Sequence, residues 1–510
     1  MKETPWVSKE VQKTQNLNYG LQNWLFILNS TLTLIMVDYY QQMKQFALPN
    51  EDTIAAISTP EGKGGIAIIR ISGAEALKVL ERFFKRTEES KSVFDMESHR
   101  LYRGQILDPA AKRFIDNVLC VLMKSPHSYT GEDVVEIHSH GGYLVPRRIL
   151  DILFKNGVRP AGPGEFTLRA FMNGKMDLAQ AEAVVDVVNA QTDESLRQAE
   201  FQLEGLLSKK INESKENILD ILAEIEAHVD FPEDEIDPIK KEHMSSRTEI
   251  VINELKKVLT TYEEGKIIKH GVYTAILGKP NVGKSSLLNQ LIMKDRAIVS
   301  PFPGTTRDFI EESIVVKGIP LRLVDTAGLR ASADEIESAG IELTKKKANE
   351  AEFIIAVFDG STELDQDDLE IISSLCGDKS VLVINKIDMP QNLSEQQIHR
   401  YLPNHEIVRT SAKEGIGIDD LKTTIFQKLV GTRDKIEASE FIISELRHKI
   451  AIEKAREGLY SFKEALSKGD SPEFLAADLR YALHSLGEIT GEVTTEDLLG
   501  KIFSKFCIGK

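Results

Sequence analysis

Eight residues, GKPNVGKS (278–285), stand between an apolar run, VYTAIL (272–277), and a helix-like run, SSLLNQLI (285–292). The spacing Gly-x-x-x-x-Gly-Lys-Ser constrains the backbone severely. Gly278 and Gly283 let successive N–H groups curl around an anion, Lys284 can reach its outer oxygens, and Ser285 opens a helix and offers its hydroxyl to Mg²⁺. Such a loop works at the end of a strand with a helix behind it, so the chain must build an α/β sheet around it. The neighbouring sequence supplies one. A hairpin, ESIVVKGIPLRLVD, and the runs FIIAVFD, SVLVINK and HEIVRTS alternate with helical segments up to about residue 430, as in a parallel α/β domain spanning 268–432.

Four further short motifs follow in order, and together they specify the nucleotide. GTTRD (304–308) offers Thr306 as a second hydroxyl for Mg²⁺, while DTAG (325–328) closes the run LRLVD, so that Asp325 can hold the Mg²⁺ through water and Gly328, after Thr326 and Ala327, can present its N–H to the γ-phosphate. NKID (385–388) closes VLVIN, with Asn385, Lys386 and Asp388 as base contacts. The Asp388 carboxylate can accept from guanine N1–H and its exocyclic amine, which adenine cannot offer; an acceptor left unpaired rejects the wrong base by roughly 10⁴. SAK (411–413) adds Ser411, Ala412 and Lys413 on the guanine oxygen. With Asn281, Val282, Gly283, Lys284, Ser285, Ser286, Ser300 and Thr305, these residues form the expected GTP site. One position breaks the pattern: the residue after DTAG is Leu329, which has no polar atom to orient an attacking water.

At 510 residues the chain has room for roughly three or four domains. With 42% hydrophobic and 28% charged residues it reads as globular, and a net charge of −16 argues against wholesale wrapping of nucleic acid. Its three cysteines, Cys120, Cys376 and Cys507, form no CxxC pair, which points to neither a disulfide framework nor a zinc site and fits a reducing cytoplasm. The stretch WLFILNSTLTLIMV (24–37) is 14 residues long and holds four polar ones, too short for a crossing helix of about 20. Residues 1–48 are therefore read as a leader, with Met43 a candidate true start and no membrane anchor expected. Residues 49–165 read as an α+β unit built on TIAAIS, GIAIIRIS, NVLCVLM, DVVEIHS and the helix VPRRILDILFKNG. Apolar residues at Leu196, Ala199, Leu203, Leu207, Ile211, Ile218, Leu222, Ile225 and Val229 predict one long striped helix within a helical domain, 166–267. Helical periodicity returns at 433–510. The fold class expected is multidomain α/β and α+β, with the GTPase domain inserted into a helical domain whose two halves must pack together.

The ordered nucleotide motifs, together with DTIAAISTPEGKGGIAIIRISG, SYTGEDVVEIHSHGG, PGEFTLRAFMNGKMDLAQAEAV and the terminal FCIGK, resemble the MnmE (TrmE) family of tRNA-modification GTPases from about Asp52 onward. The resemblance implies a potassium ion in place of an arginine finger, held by Asn281 and by the carbonyls of Ser300, Phe302 and Thr305. It implies that Glu337, acting through a bridging water once two G domains pair, does what Leu329 cannot. It also implies that the N-terminal domain forms a homodimer and binds a tetrahydrofolate one-carbon donor, 5,10-methylene- or 5-formyl-tetrahydrofolate, through Arg70, Glu136, Lys175 and Lys510. Cys507 is then a candidate participant in catalysis. The implied partners are tRNA and an MnmG-like FAD protein in a heterotetramer that installs an aminomethyl or carboxymethylaminomethyl group on the wobble uridine. On the residues alone, a regulatory switch of the ribosome-assembly type, without covalent chemistry, is the alternative.

Overall fold

The computed structural model describes residues 52–60, 62–87, 92–230, 241–294, 313–323, 351–375, 379–431 and 443–510. They divide into two compact units, one running to Lys175 and including Thr495–Lys510, the other Met176–Thr494. The 1–48 leader lies outside the described residues.

In the first unit seven strands are ordered β3-β4-β5-β6-β2-β1-β7. They are β1 (Ile54–Ile57), β2 (Ile66–Ser72), β3 (Phe84–Arg86), β4 (Leu101–Asp108), β5 (Arg113–Met123), β6 (Val134–His140) and β7 (Arg159–Pro160). All pairings are antiparallel except β1 with β7. Strand alternation then sorts the side chains. Ile69, Ile71, Val135 and Ile137 enter the core with residues of α1 (Ala76–Glu81) and α2 (Leu144–Lys155). Arg70 and Glu136, directly paired across β2 and β6, therefore face the other side of the sheet. There α3 (Glu165–Met172) buries Phe166 against Ile54, Ala56 and Ala161.

Two boundaries differ from those expected. Residues 166–175 pack with the N-terminal unit because Phe166 belongs to its core, and the last 16 residues leave the helical half for the same unit. In this tail Ile508 forms a bridge with Pro163, Ser58 Oγ donates to the Gly509 carbonyl at 3.0 Å, and Phe506 sits against Gly164. A Cβ on Gly509 would lie 2.2 Å from the Ile57 carbonyl oxygen, so only glycine fits that slot.

The second unit begins with α4 (Leu178–Asn189), α5 (Asp193–Leu203), α6 (Leu206–Asp230), α7 (Lys241–Thr260) and α8 (Tyr262–His270). The single striped helix expected from Leu196 to Val229 is broken at Gly205, whose φ is 81°. Gln180 Nε2 donates to the Leu203 carbonyl at 2.9 Å and Gln202 Nε2 to the Ala179 carbonyl at 2.8 Å, so α4 caps the end of α5 and turns the chain. The stripe survives the break. Leu207, Ile211, Ile218, Leu222 and Ile225 join Val251, Leu255 and, from beyond the insertion, Ile452, Leu459, Phe462, Leu479 and Leu486 in one core. The last five come from α13 (Leu446–Lys468) and α14 (Pro472–Thr490).

Between these halves lies a six-stranded sheet of order β13-β12-β11-β8-β10-β9. Its strands are β8 (Val272–Leu277), β9 (Ser313–Val316), β10 (Ile319–Leu323), β11 (Phe353–Asp359), β12 (Ser380–Asn385) and β13 (Ile407–Arg409). Only β9 with β10 is antiparallel, joined by Lys317 and Gly318 at φ 47° and 86°, the primed turn that suits a twisted hairpin. The helices α9 (Lys284–Lys294), α10 (Gln366–Ser374), α11 (Glu395–His399) and α12 (Ile418–Val430) accompany it.

Both crossings between this sheet and the helices are tied to α4. Lys269 Nζ lies 2.5 Å from both Asp186 and Glu445, and Arg447 forks onto Glu182 at 2.7 and 2.6 Å. His448, fully buried, places Nε2 3.1 Å from the same carboxylate. Burial and the adjacent Arg447 push His448 below its ordinary value. Burial would raise the Glu182 carboxyl, but His448 and the Arg447 fork outweigh it and hold it well below the usual range. A depressed carboxyl contributes stability above its unfolded value of about 4.3 and loses it as pH falls below. Glu182→Gln should cost this unit about 3 kcal/mol at pH 7. The deficit should shrink as pH is lowered from 5 to 3, as read by denaturant unfolding.

Candidate functional site

The phosphate loop sits where strand order reverses: β8 is flanked by β11 on one side and β10 on the other, and the loop leaves its C-terminal end. Tight packing explains its glycines. A Cβ on Gly278 would stand 2.6 Å from the Val357 carbonyl oxygen, and one on Gly283 2.3 Å from Asn385 Nδ2. Asn281 takes a left-handed φ of 65°, which asparagine tolerates better than most residues. Lys284 Nζ donates to the Gly278 and Lys279 carbonyls, both at 2.7 Å, so its ammonium already lies across the loop. Ser285 and Ser286 are exposed in the first turn of α9, and Val282 is buried beneath the loop.

The base-recognition residues converge on one buried amide. Asn385, 1% exposed, donates from Nδ2 to the Val282 carbonyl at 2.8 Å; its Oδ1 accepts from Ala412 N at 2.9 Å and Thr410 Oγ1 at 3.1 Å. Phosphate loop and SAK loop are thus held by one side chain. Ser411 Oγ donates to Asp388 Oδ1 at 2.7 Å, and this bond, chiefly, holds the exposed Asp388 carboxyl below its ordinary value and ionised. Lys386, at φ 65°, extends Nζ to Asp359 Oδ2 at 2.6 Å. Asp359 was no part of the expected site, yet its position invited attention: it ends an apolar strand beside Asn385, as Asp325 ends LRLVD. Lys413 is exposed beside Ala412. Ser300, Phe302, Thr305, Thr306, Asp325, Thr326, Ala327, Gly328 and Glu337 lie outside the described residues.

A second cluster occupies the first unit. Arg70 donates from Nε to Glu136 Oε1 at 2.9 Å and brings a second guanidinium nitrogen to it at 2.8 Å. Its guanidinium lies 5.3 Å from the Tyr129 ring centre and 5.7 Å from that of Phe166, two aromatic walls that sequence reasoning missed. The other Glu136 oxygen lies 3.5 Å from His138 Nε2. Burial, and then the charge of Arg70, push the Lys510 ammonium below its ordinary value, which brings the chain's last side chain into this electrostatic field. Lys175 is directed elsewhere, donating to the Pro126 carbonyl at 2.9 Å. Cys507 is exposed, whereas Cys120 is buried and burial raises its thiol well above the usual value. The cluster thus sets the Arg70 guanidinium and the Glu136 carboxylate beside the Tyr129 and Phe166 rings, within the electrostatic reach of Lys510. Among the described residues, no helix is long and apolar enough to cross a membrane.

Residues 53–175 match the family described as GTP-binding protein TrmE N-terminus, and residues 178–507 match the MnmE helical domain. The tRNA modification GTPase MnmE of Geotalea uraniireducens is 45% identical over 461 residues, covering 90% of this chain and 99% of that protein. Its namesake from Carboxydothermus hydrogenoformans is 44% identical over 463 residues, covering 90% and 100%. That of Clostridioides difficile is 44% identical over 460 residues, covering 90% and 99%.

Asp388→Asn replaces an acceptor by an amide that can donate. Guanine nucleotide affinity should fall by roughly 10² or more while affinity for xanthine nucleotides, which carry a carbonyl in place of the exocyclic amine, rises. Fluorescent-nucleotide titration of the two bases measures both changes.

Proposed function

The chain belongs to the MnmE (TrmE) family, and on that premise we propose that it hydrolyses GTP to drive modification of the tRNA wobble uridine, adding an aminomethyl or carboxymethylaminomethyl group at carbon 5. The observation that carries the nucleotide half of this reading is the Asn385 bridge, which brings the determinants for base and phosphate into one rigid frame. Lys284 exchanges its loop carbonyls for the β- and γ-phosphate oxygens, and Asp388 reads the guanine edge. Ser285, exposed at the start of α9, fits a Mg²⁺ ligand, with Thr306 as the second hydroxyl. Bound there, the metal neutralises charge on the β- and γ-phosphates.

Asn281, exposed on a left-handed backbone, suits a side-chain carbonyl offered to a potassium ion, joined by the carbonyls of Ser300, Phe302 and Thr305. A monovalent cation beside the bridging oxygen would offset the charge that develops there, the part an arginine finger plays elsewhere. Glu337 orients the attacking water through a second water once two G domains pair across a homodimer, since Leu329 offers no polar atom. In the N-terminal unit, Arg70, Glu136 and Lys510 hold a tetrahydrofolate one-carbon donor, and Lys175 joins them by releasing the Pro126 carbonyl. Cys507, exposed in the tail that ends at Lys510, is available to the same chemistry. An MnmG-like FAD protein completes a cytoplasmic heterotetramer on tRNA. The −16 charge of this chain suits a division of labour in which that partner carries much of the cationic surface.

Purified chain without an added activator should turn over GTP faster in potassium than in sodium by tenfold or more, roughly the worth of one charge-stabilising contact. Equal rates in the two salts would dismiss the potassium reading. In cells lacking the native chain, nucleoside analysis of tRNA should show the modified wobble uridine restored by wild type and absent with Glu337→Ala. Restoration by Glu337→Ala would show that hydrolysis is not coupled to the modification.

A further inference from the structure

Lys279 occupies one of the four unspecified positions of GKPNVGKS, and no contact with the nucleotide is ascribed to it above. Its side chain is 14% exposed, and its Nζ lies 2.6 Å from Asp365 Oδ2 and 2.7 Å from Asp368 Oδ2. Those two acids form the start of α10. Asp365 Oδ1 accepts from Asp368 N and Asp368 Oδ2 from Asp365 N, both at 3.2 Å, a reciprocal cap. The Asp368 side chain is 4% exposed, and burial raises its carboxyl above the ordinary value. The helix behind them is firmly rooted: Ile371 and Ile372 are buried in a core shared with Ala356, Phe358, Leu382 and Ile384 of the sheet.

Lys279 is therefore fixed at both ends. Its side chain is clasped by a helix cap anchored in the core, and its carbonyl, with that of Gly278, receives the Lys284 ammonium. Two carboxylates beside a loop that must accept a polyanion would oppose binding by simple repulsion unless a cation stood between them. Lys279 supplies that cation. The base end of the site has its own clasp, Asp359 on Lys386.

We propose that Lys279 is a positioning residue of the phosphate loop, its clasp on Asp365 and Asp368 holding the loop wall in the shape that receives the β-phosphate and screening those acids from it. The proposal rests on reading 278–285 as the phosphate loop. The experiment compares full-length wild type with Lys279→Met and Lys279→Arg, measuring dissociation constants for GTP, GDP and GMP together with the thermal midpoint. Lys279→Met should weaken GTP and GDP about tenfold. GMP, which has no β-phosphate, should be nearly unaffected, and Lys279→Arg should retain most of the GDP affinity. Equal losses for GDP and GMP would mean that the clasp merely supports the domain, and unchanged GDP affinity would mean that it does nothing for binding; either overturns the proposal. Should Lys279→Met not fold, Lys279→Gln, which keeps a long polar side chain between the two acids but removes the cation, carries the same comparison. Wild type that binds GMP and GDP equally would instead sink the phosphate-loop reading itself.

Discussion

One buried amide organises the nucleotide end of this molecule. Asn385 lies at the C-terminal tip of β12 with its side chain inside the protein, and both its oxygen and its nitrogen are used. An unpaired amide there would cost on the order of 1–3 kcal/mol, so the loops on either side are under energetic pressure to stay where they are. The constraint reaches further. Gly283 must lack a side chain because Asn385 Nδ2 occupies the space a Cβ would fill, and the SAK loop must approach closely enough for Ala412 N to donate. Phosphate and base recognition are coupled through this side chain before any ligand arrives.

The helical half depends on a different force. Its stripes of leucine and isoleucine on α6, α7, α13 and α14 are each too exposed on a single helix to be stable and bury one another only when both halves of the chain are present. Polar contacts then fix orientation at the two places where the chain crosses to the sheet: Lys269 leaving, Glu445 and Arg447 returning, all gathered on α4. Charge pairs of this sort contribute less to stability than to geometry. A movement of the sheet would be felt first at α4.

Much of this was legible in the amino-acid sequence. Gly278, Gly283 and Lys284 announce their loop because each has a steric or electrostatic duty that other residues cannot perform, and the strands VYTAIL, FIIAVFD and SVLVIN are long apolar runs bounded by turn signals. What escaped notice depends on distant partners. LYRGQILD, which forms β4, mixes polar and apolar residues, and its strand character comes from pairing with β5. The break at Gly205 hid inside an unbroken 3.6-residue period, since periodicity records which face is apolar and not where the axis turns. Tyr129 and Phe166 carry no motif; they matter because the fold lays them against Arg70. The tail after Thr495 looked like more of the helical domain for the same reason: helical pattern names no neighbour.

The nested arrangement has a price during synthesis. α6 emerges from the ribosome with its apolar stripe complete, but the helices that cover it, α13 and α14, begin only at Leu446, after the whole nucleotide-binding sheet has been made. From Asp230, the end of α6, to Leu446 the interval is 446 − 230 = 216 residues, which at about 5–20 residues per second is on the order of 10–40 seconds. For that time only α7 covers the α6 stripe, and the face that α13 and α14 will bury stays open on the nascent chain.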